Sequence, residues 1–332
     1  MKTLIPLLVM FALAATACGS KQTAQTPAGF KVGLSTDIGG LNDRSFNHLA
    51  YVGLQKAAAD LGVRTRVVQS VSPADYIPNL TALARQGYDL VIAVGFTEID
   101  AVKAVAQQFP KTHFAIVDVS NADEGGLKNV EGLLFKEQEA GYLAGYAAGL
   151  AAKQRGGHVV SSVGGEKQPP VDRYIAGFQA GAKAADPGIQ VLNGYSQDFE
   201  NQAKCKEVAL NQIAAGSVVV FQVAGGCGLG ALDAAKEKNV WGVGVDADQG
   251  YLGSYVLTSA LKRVDTAVYD AIRDAKAGKF KGGTDAVYGL TGDGVGIGRF
   301  SPRTPKGIAA KVAQIKQRIA SGKIANIPTT VK

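Results

Sequence analysis

The sequence is poor in the residues that most often carry chemistry. Its 332 residues include three Cys, three His, two Met and one Trp. Three Cys cannot build a disulfide scaffold. His48, His113 and His158 lie far apart without ligand spacing, so no metal site is expected. No G-x-S-x-G, no H-E-x-x-H and no G-x-x-x-x-G-K followed by Ser or Thr occurs, which removes the common hydrolase, zinc-protease and nucleotide-loop signatures. There is no block of like charge, no short-period repeat and no apolar run of the about 20 residues that a membrane helix needs. With 46% hydrophobic and 19% charged residues the chain is not a disordered one.

What is present begins at the N-terminus. Met1-Lys2 precedes an uncharged, mostly apolar stretch from Leu4 to Ala17, too short to span a bilayer and followed by Cys18. One positive charge, a short apolar core and small residues before a cleavage point read as a secretory leader over 1–17. Ala15-Thr16-Ala17-Cys18 resembles a bacterial lipobox, in which the Cys is lipidated and becomes the new N-terminus; the alternative is an ordinary leader with an incidental Cys. Residues 18–29 are small and polar and read as a flexible tether. The mature chain is then expected on the outer side of the cell membrane, in the periplasm or the extracellular space, anchored through Cys18. The net charge of +7, about +6 once Lys2 leaves with the leader, needs no nucleic-acid partner there, because anionic headgroups account for it. Cys205 and Cys227 share that oxidising compartment, and the sequence leaves open whether they are bridged or are two buried thiols.

From Phe30 onward, short apolar runs alternate with longer amphipathic ones. Strands are expected over 31–35, 64–69, 90–94, 113–119, 130–135, 158–163, 190–195, 218–223 and 241–245. Helices are expected over about 45–61, 76–86, 98–108, 138–152, 172–185, 201–215, 231–238 and 304–321. Buried runs separated by helices are the mark of βαβ units and a mostly parallel sheet. The pattern restarts midway, which predicts two doubly wound lobes. In such sheets ligands gather at the carboxyl ends of strands. Asp37, Asp118 and Asp246 stand at three of those ends and predict a shared polar cleft. Gly225-Gly226-Cys227-Gly228 opens a helix after a strand, either as backbone donors for a ligand or as a tight turn. Asp43 and Ser45 are candidate helix caps, a reading that leaves the adjacent pair Phe46-Asn47 unexplained.

These residues carry a resemblance. DIGGLNDRSFN (37–47), FKEQEAGYLAG (135–145), VGVDADQ (243–249) and LTSALK (257–262) are similar, in the right order, to the basic membrane protein family. Its members are substrate-binding lipoproteins of ABC importers, typified by purine nucleoside receptors. The resemblance implies the type I periplasmic binding fold, α/β with two Rossmann-like doubly wound lobes joined by three crossings. Lobe one is expected over 30–135 plus 258–288, and lobe two over 136–257 plus 289–332. It implies no enzyme activity, no cofactor and a monomer that delivers a purine nucleoside (inosine, guanosine or adenosine) to a permease.

Carried over position by position, Phe46 and Phe199 are expected on the two faces of the base, with Asp37, Asn47 and Asp118 on its edge. Asp246 and Lys262 are expected on the ribose hydroxyls with a backbone group of Gly226, Lys262 lying beside Asp246. Core packing for Phe199 and a solvated helix position for Lys262 are the plainer readings. A flavin, another nucleoside or a sugar in the same cleft is the alternative ligand, and a nucleoside hydrolase using the acids as bases is the alternative class.

Overall fold

Runs such as LVIAV (90–94) have no polar residue to turn toward water, so they form strands covered on both faces. The structure is a computed structural model and describes residues 29–331. The leader 1–17, Cys18 and the tether up to residue 28 lie outside the described residues.

The first sheet is built from β1 (Lys31–Thr36), β2 (Arg64–Gln69), β3 (Leu90–Val94), β4 (His113–Val117), β5 (Val130–Phe135) and β11 (Thr284–Tyr288). The second is built from β6 (Val159–Gly164), β7 (Gln190–Tyr195), β8 (Val219–Val223), β9 (Trp241–Asp246), β10 (Val256–Lys262) and β12 (Val295–Ile297). Their orders are β11-β5-β4-β3-β1-β2 and β12-β10-β9-β8-β6-β7, and every pairing is parallel except β10 with β12. Both orders reverse direction once, between β1 and β3 and between β6 and β8. Loops on either side of such a switch point leave in opposite directions and open a crevice at the carboxyl ends of the strands.

Nine helices flank the sheets among the described residues. They are α1 (Phe46–Leu61), α2 (Tyr76–Arg85), α3 (Ile99–Gln108), α4 (Glu137–Gln154), α5 (Pro169–Ala185), α6 (Gln202–Ala214), α7 (Gly228–Glu237), α8 (Val264–Lys276) and α9 (Ile308–Ala320). The small residues of α4 let it pack closely against α5. A Cβ at Gly145 would lie 2.0 Å from the Phe178 carbonyl oxygen, and one at Gly181 2.0 Å from that of Tyr142. Neither contact tolerates a side chain. Phe178 then stacks on Phe221 beneath the second sheet, with ring centroids 4.9 Å apart.

The chain passes between the sheets three times: from β5 into α4, from β10 into α8, and from β11 to β12. The second passage corrects the expected boundary at 257/258. β10 is hydrogen-bonded to β9 and β12 through Lys262, so it belongs whole to the second lobe. LTSALK is short, mixed in character and buried on both faces, and carries no pattern that assigns it to either sheet.

Candidate functional site

Both switch points open on one cleft, which encloses about 660 Å³ free of protein atoms with the open solvent at its mouth included. Asp37, Phe46, Asn47, Asp118, Phe199, Gly226, Asp246 and Lys262 all line it. The first four come from lobe one and the last four from lobe two.

On the first lobe, the loop after β1 delivers Asp37 and the first turn of α1 delivers Phe46 and Asn47. Asp43 holds that turn: its carboxylate accepts the backbone N–H groups of Ser45 (3.0 Å), Asn47 (2.7 Å) and His48 (3.1 Å), satisfying donors that a helix start leaves unpaired. Ser45 is thereby released from capping. Its hydroxyl donates across the cleft to the Val245 carbonyl (3.1 Å) and to Asp246 Oδ2 (3.0 Å).

Asn47 Nδ2 donates to Asp37 Oδ1 (2.7 Å) and reaches Asp43 Oδ2 (3.3 Å). The Gly39 N–H also donates to Asp37 Oδ1, at 2.9 Å. Burial pushes the Asp37 carboxyl up to about 7, against the lowering effect of the Asn47 hydrogen bond. Gly95, after β3, has φ of 120°, and a Cβ there would lie 2.8 Å from Asp37 Oδ2 and 3.5 Å from Phe46 Cε1. Glycine meets both demands, backbone and space.

Asp118 and Asp246 each take a left-handed backbone conformation as their strands end, with φ of 73° and 58°. Aspartate tolerates this better than most residues. Asp246 Oδ1 accepts the Tyr174 hydroxyl at 3.1 Å. Burial pushes Asp246 up to about 6, the positive charge of Lys262 opposing it. Burial and the neighbouring Asp246 hold the Tyr174 phenol well above its ordinary value, so it remains a donor.

Lys262 departs from the expected pairing. Its ammonium contacts Asp118 Oδ1 at 2.5 Å and Glu137 Oε1 at 3.0 Å rather than Asp246. It also lies 5.1 Å from the Phe46 ring centroid and 4.9 Å from that of Phe135. Glu137 is shared with Arg173, whose Nε stands 2.6 Å from Glu137 Oε2. Burial works against the Lys262 charge, but Asp118, Glu137 and Asp246 outweigh it and hold the ammonium above its ordinary value. Asp118 is committed to this cation rather than standing free beside Asp37 and Asn47. Sequence reasoning does not single out Glu137, Arg173, Tyr174 or Ser45 as site residues. Glu137 has a legible signal, an acid inside the FKEQEAGYLAG motif at a helix start, whereas Tyr174 sits in a helix that reads as core.

On the second lobe, Phe199 lies over Gly165, where a Cβ would be 2.3 Å from its ring. Its carbonyl accepts the Cys227 N–H at 2.8 Å. Cys205 and Cys227 are joined as a disulfide with Cα atoms 5.6 Å apart, which resolves the open alternative and ties α6 to the start of α7 beside Gly226. No cluster of His, Cys, Asp and Glu suited to a metal occurs among the described residues. No helix among them is long and apolar enough to cross a membrane.

Comparison with known proteins gives a consistent picture. The family model described as "ABC transporter substrate-binding protein PnrA-like" matches residues 30–328. A "CD4+ T-cell-stimulating antigen" of Listeria monocytogenes is 39% identical over 93% of this chain and 92% of its own length. The "ABC transporter nucleoside-binding protein BmpA" of Lactococcus lactis is 37% identical, covering 89% of this chain and 88% of that protein. Further relatives are named lipoproteins or basic membrane proteins. Among solved structures, an ABC transporter solute-binding protein from Aeropyrum pernix superposes with a TM-score of 0.79 at 27% identity, covering 90% of this chain and 94% of that one.

Proposed function

The chain belongs to the PnrA-like substrate-binding proteins of ABC transporters, and from that premise we propose that it is a lipid-anchored receptor that binds purine nucleosides in the interlobe cleft. It is a binding protein and not an enzyme. One observation carries the choice of ligand. Two aromatic rings, Phe46 from the first lobe and Phe199 from the second, bound a single cleft that has a carboxylate–amide pair at one side and Asp246 with Lys262 at another. A purine offers two flat faces to such rings, and stacking on an aromatic is worth roughly 1–3 kcal/mol per base. Carboxylates accept N–H donors of a base edge and the paired hydroxyls of a ribose without requiring a charged ligand. Lys262, already neutralised by Asp118 and Glu137, offers its remaining donor capacity to a ribose oxygen, with Gly226 beside it.

Binding between the lobes draws them together, and the joined faces of both lobes form the surface a permease meets. The nucleoside-binding relative from Lactococcus lactis supports the ligand class. Calorimetric titration of the mature chain with guanosine, inosine and adenosine tests the reading, and absence of heat and of any thermal shift with all three overturns it. Anchoring rests on the Ala15–Cys18 lipobox. Cys18→Ala should move the protein from the membrane fraction to the soluble one, and unchanged fractionation overturns that part.

A further inference from the structure

The donors and acceptors beside Phe46 are not balanced. Asn47 is nearly fully buried, and its amide nitrogen faces two carboxylate oxygens, Asp37 Oδ1 and Asp43 Oδ2. Both are acceptors, so only the NH₂ end of the amide can face them, and the Oδ1 end is fixed on the other side. That Oδ1 is buried and has no hydrogen-bond partner. The hydrogen bonds to Asp37 fall on Oδ1, from Gly39 N–H and Asn47 Nδ2, which leaves Oδ2 uncommitted beside Gly95 and Phe46 Cε1. Thr97, the next polar side chain of the cleft wall, already pairs its hydroxyl with that of Tyr76 at 3.3 Å.

The geometry points to a base-reading edge made of acceptors, Asp37 Oδ2 and Asn47 Oδ1, that selects nucleosides of the guanine type over those of the adenine type. This rests on the nucleoside reading above and narrows it. Guanine presents N1–H and the N2 amine side by side, two donors for two acceptors. Hypoxanthine keeps N1–H and loses the amine. Adenine places an N1 lone pair where the site already has two, so one acceptor is left facing another. A site built around buried hydrogen-bonding groups rejects an analogue that leaves them unpaired far better than an apolar pocket rejects a missing methyl.

The test is competitive calorimetry on the mature chain in mildly alkaline buffer, where Asp37 is ionised. Guanosine should bind tightest and inosine about tenfold more weakly, the scale of one hydrogen bond to a charged group. Adenosine and N1-methylguanosine should be weaker again. Asp37→Asn, nearly isosteric, turns the amide NH₂ toward the base in place of Oδ2, because its oxygen is held by Gly39 and Asn47. That variant should gain adenosine affinity relative to guanosine. Adenosine binding as tightly as guanosine, N1-methylguanosine binding like guanosine, or an Asp37→Asn variant with unchanged ranking each overturns the inference while leaving the nucleoside reading standing. Absence of binding by every purine nucleoside overturns both.

Discussion

Lys262 Nζ, where β10 ends in the second lobe, lies 2.5 Å from Asp118 Oδ1, where β4 ends in the first. The ion pair therefore spans the lobes, and Glu137, at the first residue of α4, contacts the same ammonium. Two of the three chain crossings thus have their charged residues in one buried cluster. Removing one member of a buried pair leaves the other uncompensated, which costs on the order of 3–5 kcal/mol. Lys262→Met should lower stability by about that much in chemical unfolding, because Asp118 is stranded while Glu137 keeps Arg173 as its partner. Adding Asp118→Asn should return part of the loss. An unchanged unfolding midpoint for Lys262→Met would show that the pair does not hold the lobes.

Asp37 gives binding and stability opposite pH trends. Its carboxyl is raised to about 7, by burial first, while Asp43 and Glu200 add negative charge nearby. Glu98, itself buried and raised well above its ordinary value, faces it from the loop after β3, and Tyr76 from the helix before that strand. In the free protein the folded chain then binds more protons than the unfolded chain between the ordinary carboxylate value and about 7. Stability therefore falls as pH rises through that window. A base that donates to Asp37 needs the ionised form, so its affinity rises over the same range, by up to about tenfold per unit for one proton. Calorimetry in buffers of different ionisation heat should detect proton release on guanosine binding below about pH 7. Release should vanish in Asp37→Asn, and identical heats in all buffers would contradict the linkage.

Phe46 and Phe199 differ in what holds them. Phe46 is on the first turn of α1, fixed by Asp43 and lying near Lys262. Phe199 is in a loop and rests on Gly165. Each ring replaced by Ala should weaken nucleoside binding by roughly 1–3 kcal/mol, the worth of one stacked face. Phe46→Leu should recover little of this, since a branched aliphatic side chain has no flat face to offer. Equal affinities for the native chain and both Ala variants, measured by titration, would remove the stacking role.

Much of this architecture is legible in the sequence because strand and helix periods differ and because ligands gather at the carboxyl ends of strands, where three acids coincide. Asp37, Asp118 and Asp246 can be assigned to a common cleft from the alternation of elements alone, and all three line it. The partner of Lys262 cannot be read in this way. Asp118 precedes it by well over a hundred residues, and which of several acids lies nearest depends on how two sheets face each other. The same holds for Ser45, whose hydroxyl looks like a helix cap until Asp43 is seen to take that task. The expected lobe boundary fails for a local reason: β10 is followed at once by α8, with a single residue between them and no turn signal.

The disulfide supplies the last prediction. Cys205 and Cys227 are 22 residues apart in sequence, and closing a loop of that size stabilises the folded state by roughly 3 kcal/mol in the chain-entropy account. Its placement carries a second consequence. The Cys227 N–H donates to the Phe199 carbonyl at 2.8 Å, and Gly225 and Gly226 precede it in the cleft wall. The bridge therefore anchors both the second aromatic and the backbone proposed to meet the sugar. Cys205→Ala combined with Cys227→Ala should lower stability by about that amount and weaken nucleoside binding as well. Both cysteines are fully buried, so mild reductant should leave the folded protein bridged and act only once the chain opens. If the double variant lost stability yet bound nucleosides with native affinity, the bridge would serve the fold alone and the α7 start would be positioned by packing.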